Sequence, residues 1–331
     1  MKDYTNIAAE RIVVSKRITD AQTSALVGTM LGEDPSVSIL DRNADVYCAD
    51  TGDCLLKFRK GLIPNELVKS SYRSLYHAAS VTDNRGMATG LMNLEQAREV
   101  AAKHGWILDE ERFLAGGDPS TVKRGAMPRK TLDGRPSSVA RAARVLSGIV
   151  GYMNADVRFP YCRMTAFTQS NFDKFAQAYP IIKLVDEVYA SLMPEPYARQ
   201  RALADASSKD YVIKDTAFTT VTVNRNWQTA CHTDKGDFVG GFGNLTVLRR
   251  GDYSGGFFIL PQYGIGVDMQ NTDVLLVDVH RVHGNTPIVK HSADATRISL
   301  VMYYREGMER CGSSANELVK ARKVMRKRQM K

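Results

Sequence analysis

The stretch GNLTVLRRGDYSGGFFILPQYGIGVDMQNTDVLLVDVHRVHG, residues 243–284, consists of short apolar runs separated by Gly, Asp and Asn. Runs of this length with turn residues between them predict β-strands, and no pattern of helix length interrupts them. AFTTVTVNRNW, residues 217–227, and TRISLVMYYR, residues 296–305, have the same texture. The spacing predicts an antiparallel double-sheet barrel of the jelly-roll or cupin kind over residues 205–311.

The preceding part of the chain, residues 1–204, mixes strand and helix signals and predicts an α/β region that supports the barrel. Residues 39–60 predict two strands joined at an Asp-Thr-Gly-Asp turn. Helical spacing follows in residues 93–106 and again in residues 170–193, where Ser170 is expected to cap the helix. The sequence therefore predicts an α+β chain whose barrel is followed by a basic helical tail at residues 312–331.

Length, cysteine content and hydropathy restrict the class of protein. A chain of 331 residues can bury a core without covalent cross-links. Its five cysteines include no CxxC pair, so neither a disulfide framework nor a cysteine zinc site is expected. The amino-terminal segment has no signal-like apolar region, and the apolar runs are strand-sized. We expect a soluble, intracellular protein of the cytoplasm or nucleus that is neither secreted nor bound to membranes.

Two segments carry most of the positive charge of the chain, which has a net charge of +9. Seven basic residues and one acidic residue lie in residues 123–144, within a Gly- and Pro-rich segment that predicts a basic loop at 116–145. Residues 316–331 again contain seven basic residues and one acidic residue. Each segment alone is typical of a solvated surface, but two such segments favour a polyanionic partner such as DNA.

The sequence His-Thr-Asp at residues 232–234 predicts a metal site. Residues i and i+2 of a strand point to the same side, so His232 and Asp234 can reach one ion. His280 and His283 are candidates for a third ligand, and the HGNTP sequence that follows favours His283. Two histidines and one carboxylate with open positions form the facial triad of non-haem iron oxygenases, although zinc hydrolases use similar ligands.

Arg297 indicates an anion-binding position in addition to the metal site. It begins a strand on which Ser299 shares its side, and an arginine inside a barrel needs an anionic partner. A dicarboxylate cosubstrate would meet that need through a bidentate pair, with the Ser299 hydroxyl adding a bond. The alternative is an ion pair at the rim of the barrel with Asp278 or Asp294.

These elements resemble the Fe(II)/2-oxoglutarate dioxygenases, whose H-x-D, H-G-x-x-P and R-x-S motifs stand here at residues 232–234, 283–287 and 297–299. Residues 205–305 are similar to the TET/JBP branch, in particular to the oxygenase domains of J-binding-protein thymine hydroxylases. The resemblance implies a double-stranded β-helix as the catalytic core.

The same resemblance implies the cofactors and the reaction. Fe(II) would be held by His232, Asp234 and His283, with 2-oxoglutarate and O2 as cosubstrates. Arg297 and Ser299 would bind 2-oxoglutarate, and Arg225 is a further candidate because it precedes the H-x-D motif closely. The implied reaction hydroxylates the C5-methyl group of a pyrimidine in DNA, converting thymine to 5-hydroxymethyluracil after base flipping.

Several alternatives stay open at this point. The substrate base could be 5-methylcytosine, because the two bases differ only at the exocyclic group on C4 and in the N3 proton. The same chemistry could act on RNA, a protein or a small molecule, or the chain could be a non-catalytic DNA-binding protein. Oligomeric state is not predicted.

Further residues near the motif have two interpretations each. Lys235 and Asp237 lie where the substrate would approach, but Asp237 can instead shape the turn at residue 236. Trp227, Phe238 and Phe242 could stack on a flipped base or belong to the core.

Overall fold

The computed structural model describes residues 2–82, 85–115, 122–123, 127–137 and 144–329. Within these ranges the helices are α1 (Asp20–Ala25), α2 (Asn65–Leu75), α3 (Leu94–His104), α4 (Glu110–Leu114), α5 (Ala166–Ser170), α6 (Phe172–Gln177), α7 (Tyr179–Leu192), α8 (Pro194–Ala206) and α9 (Ser314–Gln329). The strands before the predicted barrel are β1 (Glu10–Val14), β2 (Ser38–Leu40), β3 (Ala44–Cys48), β4 (Cys54–Arg59), β5 (Val81–Thr82), β6 (Leu91–Met92), β7 (Ile107–Leu108), β8 (Val122–Lys123), β9 (Arg129–Lys130), β10 (Val145–Met153) and β11 (Arg163–Met164). The remaining strands are β12 (Thr220–Arg225), β13 (Gly243–Arg250), β14 (Tyr253–Gly255), β15 (Phe258–Leu260), β16 (Ile265–Val267), β17 (Val274–Val277), β18 (Gly284–Asn285), β19 (Ile288–Lys290) and β20 (Thr296–Tyr303).

Two facing sheets form the centre of the molecule. The large sheet has the strand order β1-β3-β4-β17-β13-β20-β12-β10-β11, with β5 beside β10. The smaller sheet has the order β18-β15-β16-β2, and β14 pairs separately with β19. Apolar side chains from both sheets pack between them, among them Val247, Leu260 and Val277. The arrangement is the double-stranded β-helix that the sequence predicts, within an α+β chain.

Helices cover the outer face of the large sheet. The inward side chains of α7, including Ile181 and Val185, join one buried cluster with Val223, Leu300 and Met302 of the sheet. Because successive residues of a strand point to opposite faces, β20 sends its even-numbered residues toward these helices and its odd-numbered ones toward the smaller sheet. This alternation decides which side chains of β20 reach the interior between the sheets.

The local predictions for the first 204 residues hold in part. The strands β3 and β4 pair as an antiparallel hairpin, and α3 is capped by Asn93 and ends at Gly105 in the left-handed conformation. The single helix predicted at residues 170–193 is wrong: Ser170 ends α5, Asn171 starts α6, and Pro180 lies in the first turn of α7. Proline fits only the first turn of a helix, so a break there is expected.

The predicted boundary at residue 204 is not a boundary of the large sheet. β10 pairs antiparallel with β12, and β4 pairs antiparallel with β17, so strands on both sides of residue 204 share one hydrogen-bonded sheet. The support region and the barrel are therefore joined by backbone pairing as well as by packing.

The cysteine expectation needs a correction. Cys162 and Cys311 form a disulfide with a Cα–Cα distance of 5.7 Å, and Cys48, Cys54 and Cys231 are free. The two bonded residues are 149 positions apart, so no local spacing could have indicated the pair. In the part of the chain that the structure describes, no helix has the length and apolar content needed to cross a membrane.

Candidate active site

His232 and His283 meet through their backbones. The two residues form an isolated antiparallel bridge in which each amide donates to the other's carbonyl, at N–O distances of 2.8 and 2.9 Å. Their imidazole rings consequently lie side by side, with centroids 4.4 Å apart. The ring of Phe258 stacks on His283 at a centroid distance of 5.2 Å and closes one side of the pair.

Asp234 completes a cluster of three metal-binding groups. One oxygen of its carboxylate lies 3.5 Å from His232 Nε2, and the other lies 3.8 Å from His283 Nε2. The candidate ligand atoms of the three residues are all within 4.8 Å of one another. A third backbone bond, from the Asp234 amide to the Val279 carbonyl, fixes this residue against the segment that leads from β17 to His283.

Hydrogen bonds orient both imidazoles toward the cluster. The Nδ1 atoms of His232 and His283 lie 2.8 and 2.9 Å from the carbonyls of Ala230 and Arg281. A carbonyl only accepts, so each Nδ1 carries the proton and each Nε2 keeps a lone pair for a metal. Burial, together with the neighbouring His232, lowers the pKa of His283 to about 4, which keeps this imidazole neutral. Asp234, which is half-buried, has a lowered pKa because the surrounding histidines outweigh its desolvation.

His280 lies outside the cluster, as the sequence analysis favoured. Its Nδ1 is 3.4 Å from the Asp278 carboxylate and its Nε2 is 3.4 Å from the Asp237 carbonyl. The reasoning from strand alternation was incomplete, because β17 ends at Val277 and both histidines follow it in a turn. The bridge to His232 is what brings His283 to the cluster.

A cavity of about 570 Å³ extends between the two sheets on both sides of this cluster. The odd-numbered residues of β20 line it in order, from Arg297 through Ser299 and Val301 to Tyr303. Six residues of strand span about 20 Å, so Arg297 and Tyr303 mark opposite ends of one elongated space.

Arg297 forms the first end of the cavity. Its side chain is buried and passes over Gly256, where an added Cβ would lie 3.0 Å from Cδ and Nε of the arginine. No carboxylate of the described residues lies within 4.0 Å of its guanidinium. The alternative of a rim ion pair is wrong for the described residues, since Asp278 pairs with Arg281 and Asp294 with Arg250.

Arg225 does not reach the cavity. Its guanidinium lies 4.0 Å from the centroid of the Tyr76 ring and donates to the Tyr76 carbonyl. Alternation explains the difference: Arg225 shares a face of β12 with the core residue Val223, whereas Asn224 points to the other face and lines the cavity. The proposed role of Arg225 in cosubstrate binding is therefore withdrawn.

Polar side chains crowd the second end of the cavity, at Tyr303. Asp237 is buried, and one of its carboxylate oxygens has no hydrogen-bond partner among the described residues. Burial and the nearby Asp234 raise the pKa of Asp237 well above its usual range. Arg305 donates from Nε to Asn154, and Arg85 brings a buried Nε without a partner in the described structure. Lys235 lines the cavity at its exposed edge.

The three aromatic candidates, Trp227, Phe238 and Phe242, lie in different surroundings. Trp227 lines the cavity and is almost buried. Phe238 packs edge-on against Tyr304, and with Phe242 it belongs to the edge of the helix-side core. Only Trp227 is therefore placed to touch a molecule in the cavity.

Among the cavity residues that sequence reasoning missed are Tyr303, Arg305 and Arg85, and the first two had a signal. Tyr303 and Arg305 continue the alternating series that starts at Arg297 and Ser299, so extending that series would have found them. Arg85 reaches the cavity from a distant segment, and nothing in its neighbourhood in the sequence indicates that contact.

The residues present fit the metal and cosubstrate that such a site needs. Three ligand atoms converge on one point beside open space, and the buried guanidinium of Arg297, which has no carboxylate partner among the described residues, faces the same space. Two imidazoles with one carboxylate suit Fe(II), and a buried arginine suits a carboxylate. A double-stranded β-helix with this constellation defines the class of iron- and 2-oxoglutarate-dependent oxygenases.

Comparisons with known proteins agree with this class. Residues 148–306 match the Tet_JBP family, described as the oxygenase domain of the 2OGFeDO superfamily. Thymine dioxygenase JBP1 of Trypanosoma brucei brucei is 40% identical over 168 residues, which cover 49% of this chain and 19% of that protein. The bifunctional helicase and thymine dioxygenase JBP2 of Leishmania infantum is 37% identical over 202 residues, which cover 59% of this chain and 18% of that protein.

The structure was also compared with solved structures. NgTET1 in complex with 5mC DNA matches 90% of this chain and 95% of that chain, with 13% sequence identity and a TM-score of 0.47. The chain spans about a fifth of the length of the curated relatives named above. Residues 148–306 thus match the oxygenase domain of the 2OGFeDO superfamily, whose members use Fe(II), 2-oxoglutarate and O2.

Proposed function

We propose that this chain is an Fe(II)- and 2-oxoglutarate-dependent dioxygenase that converts thymine in DNA to 5-hydroxymethyluracil. The observation that carries the proposal is the pairing of two features in one cavity: the cluster of His232, Asp234 and His283, and the unpaired Arg297. A metal triad alone fits several reactions, but an additional buried cation calls for an anionic cosubstrate in the same space.

Different residues of the cavity would bind the metal and the cosubstrate. His232, Asp234 and His283, which border the cavity, would hold Fe(II). Arg297 would bind the distal carboxylate of 2-oxoglutarate as a bidentate pair, with the Ser299 hydroxyl beside it. The neutral imidazole of His283, whose pKa is lowered to about 4, needs no proton loss before it binds a metal at neutral pH.

The chemistry that bound iron supplies is the transfer of one atom of O2 into a methyl C–H bond, while the other enters succinate as 2-oxoglutarate loses CO2. The base, 2-oxoglutarate and O2 thus give hydroxymethyl base, succinate and CO2, with atoms and electrons in balance. The protein's part is to place the methyl group beside the metal and to keep other groups away.

Thymine is favoured over 5-methylcytosine for two reasons. The two trypanosomatid relatives, at 40% and 37% identity, are both named thymine dioxygenases. In addition, Arg305 and Arg85 at the second end of the cavity are pure hydrogen-bond donors. Thymine presents an acceptor at C4 and cytosine a donor, so arginine suits thymine at that position.

The location of the cluster supports flipping of the base out of the duplex. The cavity lies between two sheets, and its volume of about 570 Å³ is in the range of small-molecule sites. A stacked base cannot enter such a space, so the target nucleotide must be rotated out of the helix. Trp227 provides an aromatic surface inside the cavity on which a flipped base could stack.

The test is nucleoside mass spectrometry after reaction of anaerobically reconstituted protein with 2-oxoglutarate, O2 and two duplexes that differ only in 5-methylcytosine. We expect 5-hydroxymethyluracil from both duplexes. Asp234→Ala should abolish it, and His280→Ala, on the matched histidine outside the cluster, should retain it.

Two other outcomes would overturn parts of the proposal. Formation of 5-hydroxymethylcytosine alone, and only from the methylated duplex, would assign the base as 5-methylcytosine. If succinate formed while neither thymine nor 5-methylcytosine was oxidised, the protein would be an oxygenase that acts on a different class of molecule.

A further inference from the structure

Helix α9 is exposed along most of its length. Its residues Leu318, Val319 and Met325 have 51%, 51% and 56% of their surface exposed, whereas Glu317 is the only fully buried residue among its described side chains. Packing of an apolar face normally holds a helix of this length on a protein. On α9 the described apolar residues Ala321 and Val324 are only half-buried beside Glu317, so burial of apolar surface contributes little to holding the helix on the body.

The first turn of α9 is fastened to the body instead. Glu317 accepts hydrogen bonds from the amides of Cys162 and Gly312, at 2.7 and 2.9 Å. The Cys162–Cys311 disulfide crosslinks the same two segments just before the helix begins. The direction in which the helix leaves the body is therefore fixed at one end.

The exposed side of α9 is a basic surface, formed by Arg322, Lys323, Arg326 and Lys327. These residues recur at positions one and four apart, so they lie together on the side opposite the buried Glu317. Among the described basic residues of the helix, only Lys320 is paired with a carboxylate, that of Glu317. The positive charge of the helix is thus left to face solvent.

The other basic segment of the chain differs. Of its described residues, Lys130 lies near the carboxylates of Asp109 and Glu111, and Arg135 pairs with Asp133. Among the described side chains of the two segments, α9 is therefore the place where several cations lie without a carboxylate partner.

One loop connects the basic surface with the cavity. Arg305, which lines the cavity, donates to Asn154 at the start of the loop between β10 and β11. Cys162 at the end of that loop holds Glu317 and Cys311. The root of α9 and the polar end of the cavity are thus attached to the same short segment.

We propose that α9 is a docking helix for the phosphate backbone of the duplex whose base is oxidised, an inference that rests on the proposed function for its substrate. Four unpaired cations on one face complement a polyphosphate, and the helix is about 24 Å long, or about seven base pairs. A membrane surface fits less well, because the exposed apolar residues do not form a continuous side: Val319 lies among the cations.

The test measures binding of a fluorescent duplex of about 24 base pairs by the full chain, without O2, between about 50 and about 300 mM salt. The variant replaces Arg322, Lys323, Arg326 and Lys327 by Gln. A control variant replaces four exposed basic residues on other helices by Gln: Lys69, Arg73, Lys103 and Lys183. Both variants lose four positive charges, so the comparison separates the location of the charges from the net charge of the protein; Lys69 pairs with Glu66 on the exposed surface, and such a pair contributes little.

We expect the slope of log affinity against log salt to fall in magnitude by about three to four for the α9 variant and by about one or less for the control. Equal slopes in all three proteins, or equal losses in the two variants, would overturn the proposal. So would unchanged duplex binding in a variant that has lost binding to phosphatidylserine vesicles, since that would assign α9 to a lipid surface.

A second readout separates this inference from the proposed function. Oxidation of a single-stranded substrate of about five nucleotides, too short to reach along α9, should change less in the α9 variant than oxidation of the duplex. If the α9 variant lost duplex binding and none of the three proteins oxidised a base, the docking helix would be retained and the thymine assignment removed. Base oxidation by the α9 variant with unaltered duplex binding and an unaltered KM for the duplex would retain the thymine assignment and remove the docking helix.

Discussion

His232 and His283 donate their backbone amides to each other's carbonyls, and this pair of hydrogen bonds brings together two candidate metal ligands that are 51 positions apart in sequence. The bridge also fixes Asp234, because that residue follows His232 in the same segment and bonds to Val279. The geometry of the candidate metal centre is therefore built into the backbone and does not depend on side-chain packing alone. Such pre-arrangement is what a precise catalytic site requires.

Replacing His280 and His283 one at a time should separate their roles. His283→Ala removes a cluster ligand and should weaken Fe(II) binding by more than about 100-fold, since even outer-shell changes cost 10- to 100-fold. His280→Ala should change Fe(II) binding by less than about threefold, because His280 faces Asp278. Anaerobic equilibrium dialysis with metal analysis measures both. A larger loss in the His280 variant would make that residue the ligand.

Arg297→Met should weaken 2-oxoglutarate binding by about 10- to 100-fold, the loss expected when a charged hydrogen-bonded pair is removed. Iron binding should stay within a factor of about three, because Arg297 is not part of the cluster. Arg225→Met is the matched control: it removes an arginine that lies on Tyr76, outside the cavity. Calorimetric titration with 2-oxoglutarate decides the point, and equal losses in the two variants would contradict the assigned position of the cosubstrate.

Gly256→Ala should disturb Arg297, because the added Cβ would lie 3.0 Å from Cδ and Nε of that side chain. The residue also has a φ of +70°, so alanine brings backbone strain of about 1 kcal/mol or more. Gly52→Ala is a control with a φ of +74° and open space around the new Cβ. Both variants should be less stable in thermal unfolding, but only Gly256→Ala should raise the KM for 2-oxoglutarate. A normal KM in that variant would show that Arg297 adapts without loss.

Asp186 should make the fold less stable as the pH rises. Burial raises the pKa of this carboxyl to about 6, although Ala217 and Tyr197 donate hydrogen bonds to it. Between about pH 4 and about pH 6 the folded state then binds more protons than the unfolded state, so the free energy of unfolding falls with rising pH, by about 3 kcal/mol in total.

Asp186→Asn removes that titration. The free energy of unfolding of the wild type minus that of the variant should decrease from about pH 4 to about pH 6 and then stay constant. Urea unfolding at a series of pH values measures the difference. A difference that is flat, or that increases over this interval, would show that Asp186 is ionised in the folded state.

Much of this arrangement could be predicted because it follows from local periodicity. The alternation of β20 placed Arg297 and Ser299 on one face, and the same rule would have added Tyr303 and Arg305. It also explains why Arg225 fails as a cavity residue while Asn224 reaches the cavity. The motif HGNTP favours His283 over His280 as the third ligand, and His283 is the one of the two that lies beside Asp234.

Long-range contacts could not be predicted from the sequence. The Cys162–Cys311 bond and the approach of Arg85 to the cavity both depend on how distant segments pack, and no local spacing encodes either. The pairing of β10 with β12 likewise joins the support region to the barrel through a strand that sequence texture placed in a different unit. Part of the basic loop predicted at 116–145 lies outside the described residues, so that prediction stays open.

The most direct test of the central claim uses labelled oxygen. The protein would be reacted with Fe(II), 2-oxoglutarate, ¹⁸O2 and a thymine-containing duplex, and its nucleosides and succinate analysed by mass spectrometry. The account predicts 5-hydroxymethyluracil with ¹⁸O in its new hydroxyl group and about one labelled succinate for each modified base. Succinate formed without any oxidised thymine, or a hydroxyl group that carries no label from O2, would contradict it.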